Sequence, residues 1–277
     1  MKLFPLKSLL TCSALALAHD AFAQAHGHLY IGAVARTPGA KLVFDNEYEF
    51  AAASNYVKTL TFDTTTKYSN YFQGNITLTG RALTAANSGP EPFAASAGTD
   101  IWAGIVRVDG PSGGEFAFWE NGATGPTIRV PCGGTNTNQF RITSTVLSPT
   151  SDPYGHVHGR RFTATVPGIY KVSFTAWDRS TNGAGGGPIH APSDVCGIYF
   201  QAGVNIASIT RSNSIATIAY GSYTNASFVV EGTTNVFATN AWTSIGPAKL
   251  GDDFFQSQRD TNSTPMKFYR VRAIPTP

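Results

Sequence analysis

The stretch IYKVSFTAW, Ile169 to Trp177, decides the fold class. Read with a period of two, it puts Tyr170, Val172, Phe174 and Ala176 on one side and Lys171, Ser173 and Thr175 on the other. That is the pattern of a strand with one core face and one solvent face. Short segments of the same kind surround it: LYIGAVA, KLVFD, VKTLTFD, NITLTG, DIWAGIVRV, GEFAFWE, TIRVP, FRITSTVL, RRFTATV and GIYFQAG, bounded by Gly, Pro, Asn and Asp. Helical periodicity is nearly absent. Charged residues make up only 13% of the chain and aromatics 12%, with 28 glycines, a composition of strands and turns. The expected fold is all-β: an antiparallel β-sandwich domain followed by a smaller β-sandwich module.

Ahead of these strands, MKLFPLK is a short basic opening, SLLTCSALALA an apolar run, and AFAQA supplies small residues at the offsets of a cleavage site. Residues 1–25 read as a secretory signal peptide, too short and wrongly flanked for a membrane span. Cleavage after Ala23 leaves Gln24 first, and cleavage after Ala25 leaves His26 first. The mature chain is expected to be secreted, periplasmic or at the cell surface, with no membrane span. Losing Lys2, Lys7 and Asp20 takes the basic residues from 20 to 18 and the acidic from 17 to 16, a net +2. So small a charge argues against nucleic acid or an anionic membrane as partner. Cys132 and Cys196 remain, an even count in an oxidising compartment, and a disulfide between them is expected, with metal ligation by the thiolates as the competing reading.

Near Val204 the texture changes. Residues 26–203 form the first unit and 204–277 a second, with strands SIATIAY, SFVVEGT, AWTSIG and KFYRVRA but neither histidine nor cysteine. A unit of roughly 70 residues is close to the lower limit for a self-supporting core, so it is expected to lean on the first.

Four of the six histidines fall in two His-x-His pairs, His26 and His28 in AHGHLYIGA and His156 and His158 in YGHVHGRRF. In an extended chain residues i and i+2 point the same way about 7 Å apart, near enough for two imidazoles to meet one ion. Two such pairs on neighbouring strands would supply four nitrogen ligands, a set suited to zinc or copper. His190, in the Gly-rich GGGPIHAPSD, is a fifth candidate ligand, with Asp100 and Asp194 as oxygen donors. The plainer reading of each is a surface or loop residue. Trp102, Phe116, Phe118, Trp119, Phe162, Tyr170, Phe174 and Trp177 are most simply core, since a sugar-binding platform would need several exposed on one face.

In order along the chain come GHLYIGAVARTPGAKLVFD, DIWAGIVRVDGPSGGEFAFWENG and GHVHGRRFTATVPGIYKVSFTAWD. Through His28, Trp102, Phe116, Trp119, His156, His158, Phe162, Pro167, Gly168 and Tyr170 this succession resembles the choice-of-anchor M domain, a bacterial surface-anchored family associated with metal ABC transporters. Where that family has Asn-Trp after the histidine pair, this chain has Gly159-Arg160-Arg161. The resemblance implies extracytoplasmic metal handling, with a metal ABC transporter component as partner. FVVEGTTN, AWTSIG and DTNSTPMKFYRVR resemble the small C-terminal β-sandwich modules of secreted proteins of Verrucomicrobia and related bacteria, which are accessory.

No Gly-x-Ser-x-Gly, His-Glu-x-x-His or Gly-x-x-x-x-Gly-Lys-Ser motif is present, and no enzymatic activity is expected. The functional expectation is an exported protein that binds zinc, or alternatively copper, for scavenging or delivery to an uptake system. A non-metal adhesion or glycan-binding surface protein is the alternative. A third reading has the free amine and imidazole of His26 chelating copper in a histidine brace of the oxygenase type.

Overall fold

The computed structural model describes residues 27–144, 148–157, 159–224, 226–264 and 266–275. Residues 1–25, where a signal peptide is expected, and His26 and His158 lie outside the described residues. The first strands are β1 (His28–Ala33), β2 (Leu42–Phe44), β3 (Val57–Phe62), β4 (Phe72–Gly74) and β5 (Thr77–Gly80). Next come β6 (Ile101–Asp109), β7 (Glu115–Trp119), β8 (Ile128–Pro131) and β9 (Phe140–Arg141). β10 (Gly155–His156), β11 (Arg161–Ala164), β12 (Gly168–Asp178) and β13 (Cys196–Ala202) complete the first group. Among the described residues helix is confined to one α turn, Glu47–Phe50, and short 3-10 turns, so the fold is all-β as the alternation predicts.

A four-stranded sheet runs β10-β5-β1-β2 and a nine-stranded sheet β8-β7-β11-β4-β3-β13-β12-β6-β9. Most neighbours are antiparallel, but β1 pairs β5 and β13 pairs β3 in parallel, each joined through a long crossover. The large sheet rolls until its ends meet: the Gly133 and Asn136 N–H groups donate to Val108 O and Val106 O of β6, and Phe118 of β7 stacks on Phe140 of β9 with centroids 3.9 Å apart. Phe116, Phe162, Phe174 and Phe200 fill the roll in mutual ring contact, the tilted and stacked geometries that aromatic pairs favour. One core runs from Leu29 to Ala202 and takes in the inward side chains of both sheets.

Tyr170, Val172, Phe174 and Ala176 are each at most 1% exposed, as the sequence pattern requires. The opposite face departs from expectation. Lys171 is exposed, but Ser173 and Thr175 are buried. The segment around Asn138 crosses Gly104, the residue opposite Thr175, so closely that a Cβ there would sit 2.6 Å from Asn138 O. A local alternation cannot register a distant loop laid over a strand.

The cysteines correct a second expectation. Cys196 opens β13 opposite Phe174, whereas Cys132 follows β8 and rests against Gly110, just past the Asp109–Lys171 pair. Between those positions lie about 10 Å along β12 and, since β6 and β13 flank it on opposite sides, about 10 Å across it. A disulfide needs Cα atoms within about 7 Å, and both residues are free thiols.

The second group comprises β14 (Ile206–Ser212), β15 (Ile215–Gly221), β16 (Ala226–Thr233), β17 (Thr243–Ser244), β18 (Lys249–Leu250), β19 (Phe255–Asp260) and β20 (Phe268–Pro275). They form a β14-β15-β19 sheet and another centred on β16, paired with β17, β18 and β20. Ala216, Ile218, Tyr220, Ala226, Phe228 and Val230 bury into a core cluster of their own. This group docks on the first: the Val57 N–H donates to Asp253 O, the Phe255 N–H to Asn55 O, and Tyr199 meets Phe255 edge-on at 5.5 Å. Among the described residues no helix is long and apolar enough to cross a membrane.

Candidate functional site

On the small sheet, Leu29 and Ile31 of β1 point inward, so His28 and Tyr30 point outward, as a period of two demands. The same parity on β5 buries Leu78 and turns Thr77 and Thr79 to the outer face, and Val157 after β10 turns His156 that way. His156 stands opposite Thr79 on one side of β5, and His28 stands opposite Thr77 on the other. The two histidines, 128 positions apart in sequence, line one pocket of 330 Å³. Their strands are not neighbours, as the spacing argument assumed: β5 lies between them, which separates their backbones by about 10 Å.

Hydroxyl groups hold both rings. His28 Nδ1 is 3.0 Å from Thr79 Oγ1, and His156 Nδ1 is 2.8 Å from the Tyr154 hydroxyl. With Nδ1 taken up in these bonds, Nε2 is the nitrogen through which either ring would ligate an ion. Outer partners of this kind orient metal-binding histidines.

Arg81, at the pocket wall, lies over the Tyr30 ring at 3.6 Å and pairs with Asp45 at 2.7 Å and Glu91 at 3.6 Å. One guanidinium thus faces two carboxylates, which offsets the repulsion it would exert on a bound cation. Burial raises the Asp45 carboxyl above the usual carboxylate value against the pull of Arg81, and its Oδ1 is buried with no hydrogen-bond partner. Across the rim, Asp152 accepts from the Leu83, Thr84 and Tyr154 N–H groups and the Asn87 amide, so one carboxylate ties the Leu83–Asn87 turn to the strand bearing His156.

The other sequence candidates are not brought here. His190 is 1% exposed. Its Nδ1 lies 3.0 Å from Ala40 O, which can only accept, and its Nε2 lies 3.0 Å from the Ser96 N–H, which can only donate. The ring is therefore neutral, protonated on Nδ1, with both nitrogens engaged in structure. Asp194 is in an exposed pair with Lys41, and Asp100 pairs with Arg141. Among the described residues no group of three or more His, Cys, Asp or Glu side chains is placed to hold an ion. Of the four paired histidines singled out in the sequence, His28 and His156 are the two that the described residues bring together.

Sequence reasoning missed Thr79, Tyr154 and Arg81. Tyr154 carried a usable signal, since it precedes His156 by two as Tyr30 follows His28 by two, and i, i+2 residues share a strand face. Thr79 carried none, because only the sheet order puts it between the histidines. No protein-family model matches the chain, and no curated protein matches it either.

Proposed function

We propose that the protein is an exported binder of a transition metal, zinc foremost and copper as the alternative, which scavenges the ion or delivers it to an uptake system such as a metal ABC transporter. The observation that carries this reading is the meeting of His28 and His156 in one pocket, each ring held at Nδ1 by a hydroxyl. Neutral imidazole suits zinc and copper, and the resemblance to choice-of-anchor M proteins points to the same chemistry. His26 and His158 join the proposed ligand set through their His-x-His spacing. In that role the chain's residues bind and orient: Thr79 and Tyr154 hold the rings in place, and the Asp45–Arg81–Glu91 group balances charge at the wall.

The test is metal analysis of the purified mature protein after equilibration with zinc. About one ion per chain is expected for a single site of this kind. The double variant His28→Ala, His156→Ala is expected to retain none while keeping its β-sheet circular dichroism. Zinc held at wild-type stoichiometry by that variant would falsify the assignment.

A further inference from the structure

Of the eight aromatic residues expected in the core, six are buried, whereas Trp102 and Trp177 are only half-buried. These two stand directly opposite each other on β6 and β12, on the outer face of the large sheet. Arg179, two residues beyond Trp177, lies over the Trp102 ring at 4.7 Å. Trp177 itself lines a separate, open cleft of 690 Å³ with Asn138, Gln139, Thr137 and Arg179 around it. This face differs from the one that carries the histidines.

We propose that this cleft is a carbohydrate-binding site for a neutral polysaccharide, with the Trp177 indole as the platform and the Asn138 and Gln139 amides as the hydroxyl-reading groups. A sugar ring presents an apolar C–H face and an equatorial fringe of hydroxyls, so a receptor must offer an aromatic plane bordered by planar polar groups. The Trp177 indole, half-buried and packed toward Gly104, supplies the aromatic surface at the cleft wall. The amides come from the segment that crosses Gly104 and so are held over the sheet; Asn138 is exposed, whereas Gln139 Oε1 is buried without a hydrogen-bond partner, which leaves the Asn138 amide as the more accessible reader. The carboxylates nearby are already committed. Asp178 accepts from the Asp100, Ser180, Ile189 and His190 N–H groups, and Glu120 is paired with Arg160.

Charge decides the class of sugar. Glu120 is neutralised by Arg160, and the cleft's other two charges, Asp178 and Arg179, are one of each sign. No excess of cations is present to hold an acidic polymer. The volume falls in the range of clefts that hold a drug-sized ligand, and the open shape lets a longer chain run past the site.

Native affinity electrophoresis tests the site, with starch, hydroxyethylcellulose, galactomannan and laminarin as neutral polymers in the gel and alginate as the acidic one. The wild-type protein is expected to be retarded by at least one neutral polymer and not selectively by alginate. Trp177→Ala should abolish the retardation, and Asn138→Ala, on an exposed segment, should weaken binding about tenfold, the effect usual for a central contact. Trp242→Ala, in the second group of strands, should leave it unchanged. If Trp177→Ala fails to fold, Asn138→Ala alone reads the site. Passage through every neutral gel without retardation overturns the proposal, and so does retardation that Asn138→Ala leaves at wild-type strength.

Discussion

The Tyr154 hydroxyl lies 2.8 Å from His156 Nδ1, two positions along the same strand face. For His156 to ligate an ion through Nε2, Nδ1 must carry the proton and donate it to this oxygen. Tyr154→Phe keeps the ring and removes the acceptor. Zinc is expected to bind at unchanged stoichiometry with affinity lowered about 10- to 100-fold, the usual effect of losing an outer partner. Competition with a chromogenic chelator measures it, and an affinity equal to wild type would show that Tyr154 does not orient the ligand.

His190→Ala separates a structural histidine from a ligand. The substitution leaves the Ser96 N–H without its acceptor, takes one of two donors from Ala40 O, whose bond from the Ala191 N–H remains, and opens a cavity where the buried ring stood. Unfolding in denaturant should show a loss of about 3 kcal/mol, while zinc content stays at the wild-type value. Loss of zinc with stability retained would instead make His190 a ligand.

Asp152 predicts an acid-side weakness at the rim of the histidine pocket. Burial opposes its ionisation, but hydrogen bonds from Asn87, Leu83, Thr84 and Tyr154 outweigh that and hold its carboxyl below the usual value. Because the folded value is the lower one, the stabilisation is fully present above the unfolded carboxylate value, about pH 4, and is lost as the pH falls from there through the folded value. Thermal unfolding of Asp152→Asn should therefore differ most from wild type at neutral pH and converge with it below about pH 3. A gap that stays constant across this range would assign the loss to shape rather than charge.

The thiols give a direct chemical check. For the chain lacking residues 1–25, and so Cys12, two free cysteines are expected on denaturation without reductant, with no change of mass on adding one. In the native state Cys132, half-buried, should be alkylated first. Cys196 is buried, and burial pushes its thiol up to about 12, so it should react only when the chain unfolds. A mass two units lower that reduction restores would reinstate the disulfide.

The strand character of Ile169–Trp177, and with it the all-β class, was legible in the sequence because side-chain alternation is a property of a few consecutive backbone units. The outward placement of His28 beside inward Leu29 and Ile31 follows from the same rule. What neighbours a strand does not. That β5 separates His28 from His156, that its Thr79 meets one ring and faces the other, and that Cys132 and Cys196 sit on opposite sides of β12 all depend on pairings between distant segments. Burial of Ser173 and Thr175 came the same way, from a loop more than thirty positions earlier laid across Gly104. Such choices are settled by which faces pack together once the sheet rolls, a competition among long-range contacts that leaves no periodic trace in any one segment.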